Sequence, residues 1–165
     1  MDALQAAVTS WAQASTLAEA KAAAEAARNL VTGPDVMDYG DLDGNGQTAG
    51  ATSIGLLPGE NGQRGLVTTP TSSCVERDVL GGSWSDPAAR WTDVRTRIAA
   101  WTESNNTFPA LASHPQRVVG WASLTLNTSK VDTTSLDTTS LDAAHEYAGH
   151  AQIHLTQTRQ ALASC

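Results

Sequence analysis

The chain has 165 residues, of which 41% are hydrophobic, 16% charged and 5% aromatic, and its net charge is −7. A single domain of this length buries roughly 70% of its unfolded surface. No apolar run approaches the roughly 20 residues that cross a bilayer, so no membrane span is expected. Ten basic residues against 17 acidic ones argue against a nucleic-acid partner, which needs clustered Lys and Arg to displace counterions.

Residues 2–31 read as helix, with Asp2 able to cap the start. Thr16 and Glu19 have capping-box spacing, which allows a break or second start near Ser15. Gly33 and Pro34 stop the helix, the first by a left-handed cap and the second by forbidding continuation. Residues 35–53 form an acidic glycine loop. Residues 54–84 read as an irregular excursion with one short strand around Leu66–Thr69. A helix over about 86–103 starts at Asp86 and Pro87. It carries an apolar stripe of Trp91, Val94, Ile98 and Trp101 at helix period. Pro115 opens a helix over about 115–127 that faces Val118, Trp121 and Leu124 one way. A polar linker follows, with the repeat Asp132 to Leu136 and Asp137 to Leu141. Ser140 or Asp142 caps a last helix over about 141–163, with Ala144, Ala148, Ala151 and Leu155 on one side. The expected fold is a mainly α, single-domain antiparallel bundle of about four helices over residues 1–165.

The strongest chemical signal is Asp41-Leu42-Asp43-Gly44-Asn45-Gly46. Calcium is a hard cation that takes six to eight oxygens, and acidic side chains on alternate residues of a tight coil converge to supply them. Gly46 gives the sharp turn, and Gln47 would add a backbone carbonyl. This stretch resembles the first half of a calcium loop of the EF-hand or dockerin kind. More broadly, a helix followed by this loop and then by Gly55 to Gly59 resembles bacterial extracellular helical domains that carry one such loop. The resemblance implies Ca2+ binding and an extracytoplasmic setting. The pattern departs at its twelfth position, where Thr52 stands in place of a bidentate acid. Asp38, Thr52, Ser53 or a distant residue must complete the shell. The alternative is a solvated Asp/Gly turn.

Two cysteines, Cys74 and Cys165, share no redox or zinc-ribbon spacing. A disulfide between them would close a loop of about 90 residues, worth roughly 4–5 kcal/mol by chain entropy, and implies an oxidising compartment. The alternative is two free thiols. No signal peptide is visible after Met1. On the last helix, Glu146, His150 and His154 lie at i, i+4 and i+8, a chelating face for Zn or Cu that His114 could complete. The bland reading is a Glu–His pair with half-buried imidazoles. The five Trp could line a sugar-binding face, but Trp91, Trp101 and Trp121 fall on helical stripes, which favours core packing, and Trp11 and Trp84 are less determined.

Sequons occur at Asn105 and Asn127. No nucleophile elbow, P-loop or dinucleotide motif is present. The negative charge is local: Asp35, Asp38, Asp41 and Asp43, with Asp132, Asp137 and Asp142, account for the whole excess. The expected function is a non-enzymatic, secreted or cell-surface, calcium-stabilised domain with a structural, adhesive or self-assembling role, filament formation included. A transition-metal module and a secreted hydrolase are the alternatives.

Overall fold

The computed structural model describes residues 1–50, 53–101, 110–126 and 140–164. The described chain is mainly helical. Five α-helices, α1 (Asp2–Ala12), α2 (Leu17–Thr32), α3 (Pro87–Ala99), α4 (His114–Thr125) and α5 (Leu141–Ser164), are joined by one π-helical segment, Val75–Leu80. The single first helix expected over 2–31 is two. Thr16 adopts extended backbone, and its side chain and that of Glu19 satisfy each other's backbone N–H groups in a full capping box. That local closure competes with helix continuation. Asp2 does not cap: Met1 holds that position, without a side-chain bond.

The other starts follow sequence chemistry. Asp86 accepts from the N–H of Ala89 ahead of Pro87. Ser113 and Gln116 form a second capping box. Ser140, rather than Asp142, receives the N–H of Ala143.

Helices α1, α2, α4 and α5 pack on one another, and α3 leans only lightly on α4. Small residues let them approach: Ala20, Ala24, Ala27, Ala144, Ala148 and Ala151 are fully buried. Trp11, Trp91 and Trp121 fill the remaining volume, and large aromatic burial carries much of the hydrophobic gain. The stripes expected on α4 and α5 are buried, as are Trp91, Val94 and Ile98 on α3, whereas Trp101 lies past the end of α3 and is half-buried.

No strand occurs among the described residues, so the one expected around Leu66–Thr69 is absent. The excursion instead satisfies helix ends. The N–H groups of Leu56 and Leu57 donate to the carbonyls of Leu30 and Val31 at 3.0 and 3.1 Å, which lie in the last turn of α2 and lack intrahelical partners. Leu66 and Val67 in turn donate to Gly55 and Leu56, both at 2.9 Å. Trp91 Nε1 donates to the Pro58 carbonyl at 2.8 Å and ties the excursion to α3. No described helix is long and apolar enough to cross a membrane. The two sequons and most of the five-residue repeat lie outside the described residues.

Candidate metal centre

Helix α2 looks like an alanine helix with scattered charges, yet it buries four polar residues. Glu25 and Asn29 are 0% exposed, Thr32 1% and Arg28 3%. Their spacing of i, i+3, i+4 and i+7 gives one face, and the acidic loop is folded onto it. Asn29 Nδ2 donates to the carbonyls of Gly40 at 2.9 Å and Ala49 at 2.7 Å, clamping both ends of the loop. Gly50 has φ +112°, and a Cβ there would lie 2.6 Å from the Asn29 Cβ, so only glycine fits.

Inside the clamp the loop coils around Asp41. Its Oδ1 accepts from the N–H groups of Gly44 and Asn45, and its Oδ2 accepts from Gly46 at 2.8 Å. Gly44 and Gly46 both take positive φ. Asp43 accepts from the backbone and side-chain nitrogens of Asn45 at 3.0 and 2.8 Å. Glu25 rises from below. Its Oε2 accepts from Leu42 and Asp43 at 2.6 and 3.1 Å, and its Oε1 from Ala49 at 2.8 Å.

Glu25, Asp41 and Asp43 thereby bring one oxygen each to within 4.8 Å of one another, an arrangement that can hold a metal ion. A carboxylate offers about four lone-pair sites. The bonds above leave one free on Glu25, one on Asp41 and two on Asp43. Lys21, one turn before Glu25, lines the same shallow cleft as Asp43 and Asn45.

Other sequence-named ligands sit differently. Asn45 Oδ1 accepts the Gln47 N–H at 2.8 Å, which places both at the rim of the loop. Asp38 is not part of the cluster. Its carboxylate is bonded by Arg28 and lies 3.4 Å from Arg95, which also pairs with Glu60 at 2.6 Å. Arg95 holds the Glu60 carboxyl below its usual range, and the N–H of Met37 adds to this. Thr52 lies outside the described residues. The distant residue that joins Asp41 and Asp43 in the cluster is Glu25, which sequence reading missed.

The histidine helix does not assemble its expected trio. Glu146 is exposed and 4.0 Å from His150, whose ring stacks on Trp121 with centroids 4.4 Å apart. His154 instead has its Nδ1 3.1 Å from Nδ1 of His114, so one imidazole donates to the other. Burial, then the charge of Arg117, then His114 and His150, push the His154 pKa down to about 4. Burial also lowers His114, with Arg117 and Arg77 acting with it and Asp78 against.

A group neutral in the fold and titrating near 6.5 when unfolded binds a proton preferentially in the unfolded chain. The stability contribution of His154 is therefore intact above about pH 6.5 and lost as pH falls toward 4. Discounted for partial exposure it amounts to about 1–2 kcal/mol. Urea denaturation at pH 7 and pH 5 is expected to show this loss in the wild type, and a smaller one in His154→Gln. An equal loss in both would contradict it.

Among the described residues no cysteine is free. Cys165 lies outside them. Val75, next to Cys74, packs with Val79 against Ala161 in the last turns of α5. Comparison with protein-family models, curated proteins and solved structures finds no match to this chain.

Proposed function

We propose that the chain is a non-enzymatic, secreted or cell-surface antiparallel helical bundle. One calcium ion and a Cys74–Cys165 disulfide would stabilise it in a structural, adhesive or self-associating role. The observation that carries the calcium reading is the buried Glu25 carboxylate reaching Asp41 and Asp43. The acid absent from the loop's twelfth position would then be replaced by a single oxygen of Glu25 from the preceding helix. The carboxylate oxygens of Glu25, Asp41 and Asp43, with Asn45 and water, match a hard cation that wants oxygen only. The disulfide is supported by Ala161, one helical turn before Cys165 in sequence, lying against the neighbour of Cys74. A Zn or Cu module on the histidines is less well supported. The converging pair is His114 and His154, and Arg117 sits within electrostatic reach of both.

Thermal melts in calcium and in EDTA test the central reading. At a hundredfold excess over Kd, a native-state ligand adds about 2.7 kcal/mol. For a chain of this size that is a rise in Tm of about 5–10 °C. An unchanged Tm would end the calcium reading. Size-exclusion in both buffers tests self-association, and a monomer throughout would remove that role.

A further inference from the structure

Trp84 has no part in the metal loop, and its surroundings suggest a use for it. Its Nε1 donates to the Leu80 carbonyl at 2.9 Å, its ring meets Trp91 edge-on at 5.5 Å, and the Arg90 guanidinium lies 5.7 Å from its centroid. Arg90 is itself fixed by a bond to the Gly81 carbonyl. The indole is therefore held in one orientation while remaining half-buried. It forms part of the wall of a cavity of about 570 Å³, built by the excursion against the start of α3. That volume lies within the range of small-ligand sites, roughly 300–1,000 Å³.

The other walls carry Gln63, Arg64, Thr69 and Glu76. None of these four side chains is used in a hydrogen bond or ion pair with another described residue. Their chemistry narrows the ligand. Arg64 opposes a cationic ligand and Glu76 opposes an anionic one. Arg donates only and a carboxylate accepts only, while Gln and Thr do both. A ligand that satisfies all four must offer donors and acceptors together and an apolar face for the indole. A proline-rich peptide presents carbonyl acceptors with few N–H donors, so it would desolvate Glu76 without compensation.

We propose that the Trp84 cavity is a binding site for a neutral carbohydrate. One pyranose face would stack on Trp84, with its hydroxyls shared between Arg64 and Glu76. This does not rest on the calcium reading, since no residue of the cavity belongs to the Glu25 cluster.

The intact chain, in calcium buffer, is screened against an array of neutral di- and trisaccharides of glucose, galactose, mannose and N-acetylglucosamine. Hits are titrated by calorimetry. At least one micromolar-to-millimolar binder is expected. Trp84→Ala should weaken it by about tenfold or more, and Glu76→Gln and Arg64→Gln by about fivefold each. The last two are exposed and leave the fold intact, so they decide the matter if Trp84→Ala unfolds. No binder on the array, or unchanged affinity in Glu76→Gln and Arg64→Gln, overturns the proposal. Binding of an oligoproline peptide without any sugar also overturns it. None of these failures touches the melting test for calcium.

Discussion

Glu25→Ala is expected to destabilise the protein by about 3–5 kcal/mol in EDTA and to abolish the calcium-dependent rise in Tm. The first effect follows from the hydrogen bonds. Glu25 is 0% exposed, and its oxygens are the acceptors for the N–H groups of Leu42, Asp43 and Ala49. Removing them leaves three backbone donors facing a cavity, and each unsatisfied buried donor costs about 1–3 kcal/mol. The second effect follows from coordination, because Asp41 and Asp43 alone give a shell open toward α2. Glu25→Gln separates the two. It keeps one acceptor oxygen but turns an amide NH2 toward backbone N–H groups, so about 1–3 kcal/mol is expected to be lost in EDTA. Its calcium response should disappear as completely as in the alanine variant. Urea denaturation of the three proteins in both buffers measures all of this. A calcium response preserved in Glu25→Gln would remove Glu25 from the site.

Why Glu25 was missed is instructive about the sequence. The loop itself was legible, because Asp41, Asp43, Asn45 and Gly46 are contiguous and their alternation is a local rule. The helix stripes were legible for the same reason: Trp91, Val94 and Ile98, or Ala144, Ala148 and Ala151, repeat at one period and are buried together. Glu25 belongs to a stripe too, with Arg28, Asn29 and Thr32. A helix-period row of polar residues reads as a solvated face unless something is known to cover it. Here the cover is the acidic loop, and that long-range pairing carries no local signature. The polar row on an otherwise alanine-rich helix was the available signal. The absent strand has a related cause. Leu66 and Val67 do make backbone bonds to another part of the excursion, but their consecutive N–H groups reach consecutive carbonyls, Gly55 and Leu56, without the alternation of a strand pair.

The local excess of negative charge also changes meaning. Of the four aspartates between residues 35 and 43, Asp35 is satisfied by the N–H groups of Asn61 and Gln63 at 2.9 and 3.0 Å, and by the Asn61 side chain. Although partial desolvation acts the other way, these bonds together hold its carboxyl below the usual range. Asp38 is taken by Arg28 and Arg95. The acids left for a cation are Asp41 and Asp43, joined by Glu25, and Lys21 lines the same cleft as Asp43.

Asp38 and Asp41 therefore have opposite expected behaviour, although both looked like ligands in sequence. Arg28 is 3% exposed and bonds Ser123 Oγ at 3.1 Å, the Asp38 carbonyl and the Asp38 carboxylate. Burial lowers its pKa and Asp38 works against that shift, so the ion pair is what makes the buried cation tolerable. Breaking one partner of such a pair costs about 3–5 kcal/mol. Arg28→Met is expected at the upper end of that range, since the α2 contacts to the loop and to α4 fail together. Asp38→Asn is expected at the lower end, because the Asp38 carbonyl still accepts from Arg28 and Arg95 keeps Glu60. In both, the calcium Kd of the folded protein should stay within about threefold of wild type, as neither side chain reaches the cluster. Asp41→Asn should do the reverse. It is exposed and its loss costs little in EDTA, about 1 kcal/mol for the loop bonds. Calcium affinity should nevertheless fall by at least about tenfold, because a charged ligand is removed. Calcium calorimetry and urea denaturation on the three variants make the comparison. If Asp38→Asn loses calcium as Asp41→Asn does, the arginine pair is a feature of the metal-free state only, and Asp38 swings into the coordination shell when the ion arrives.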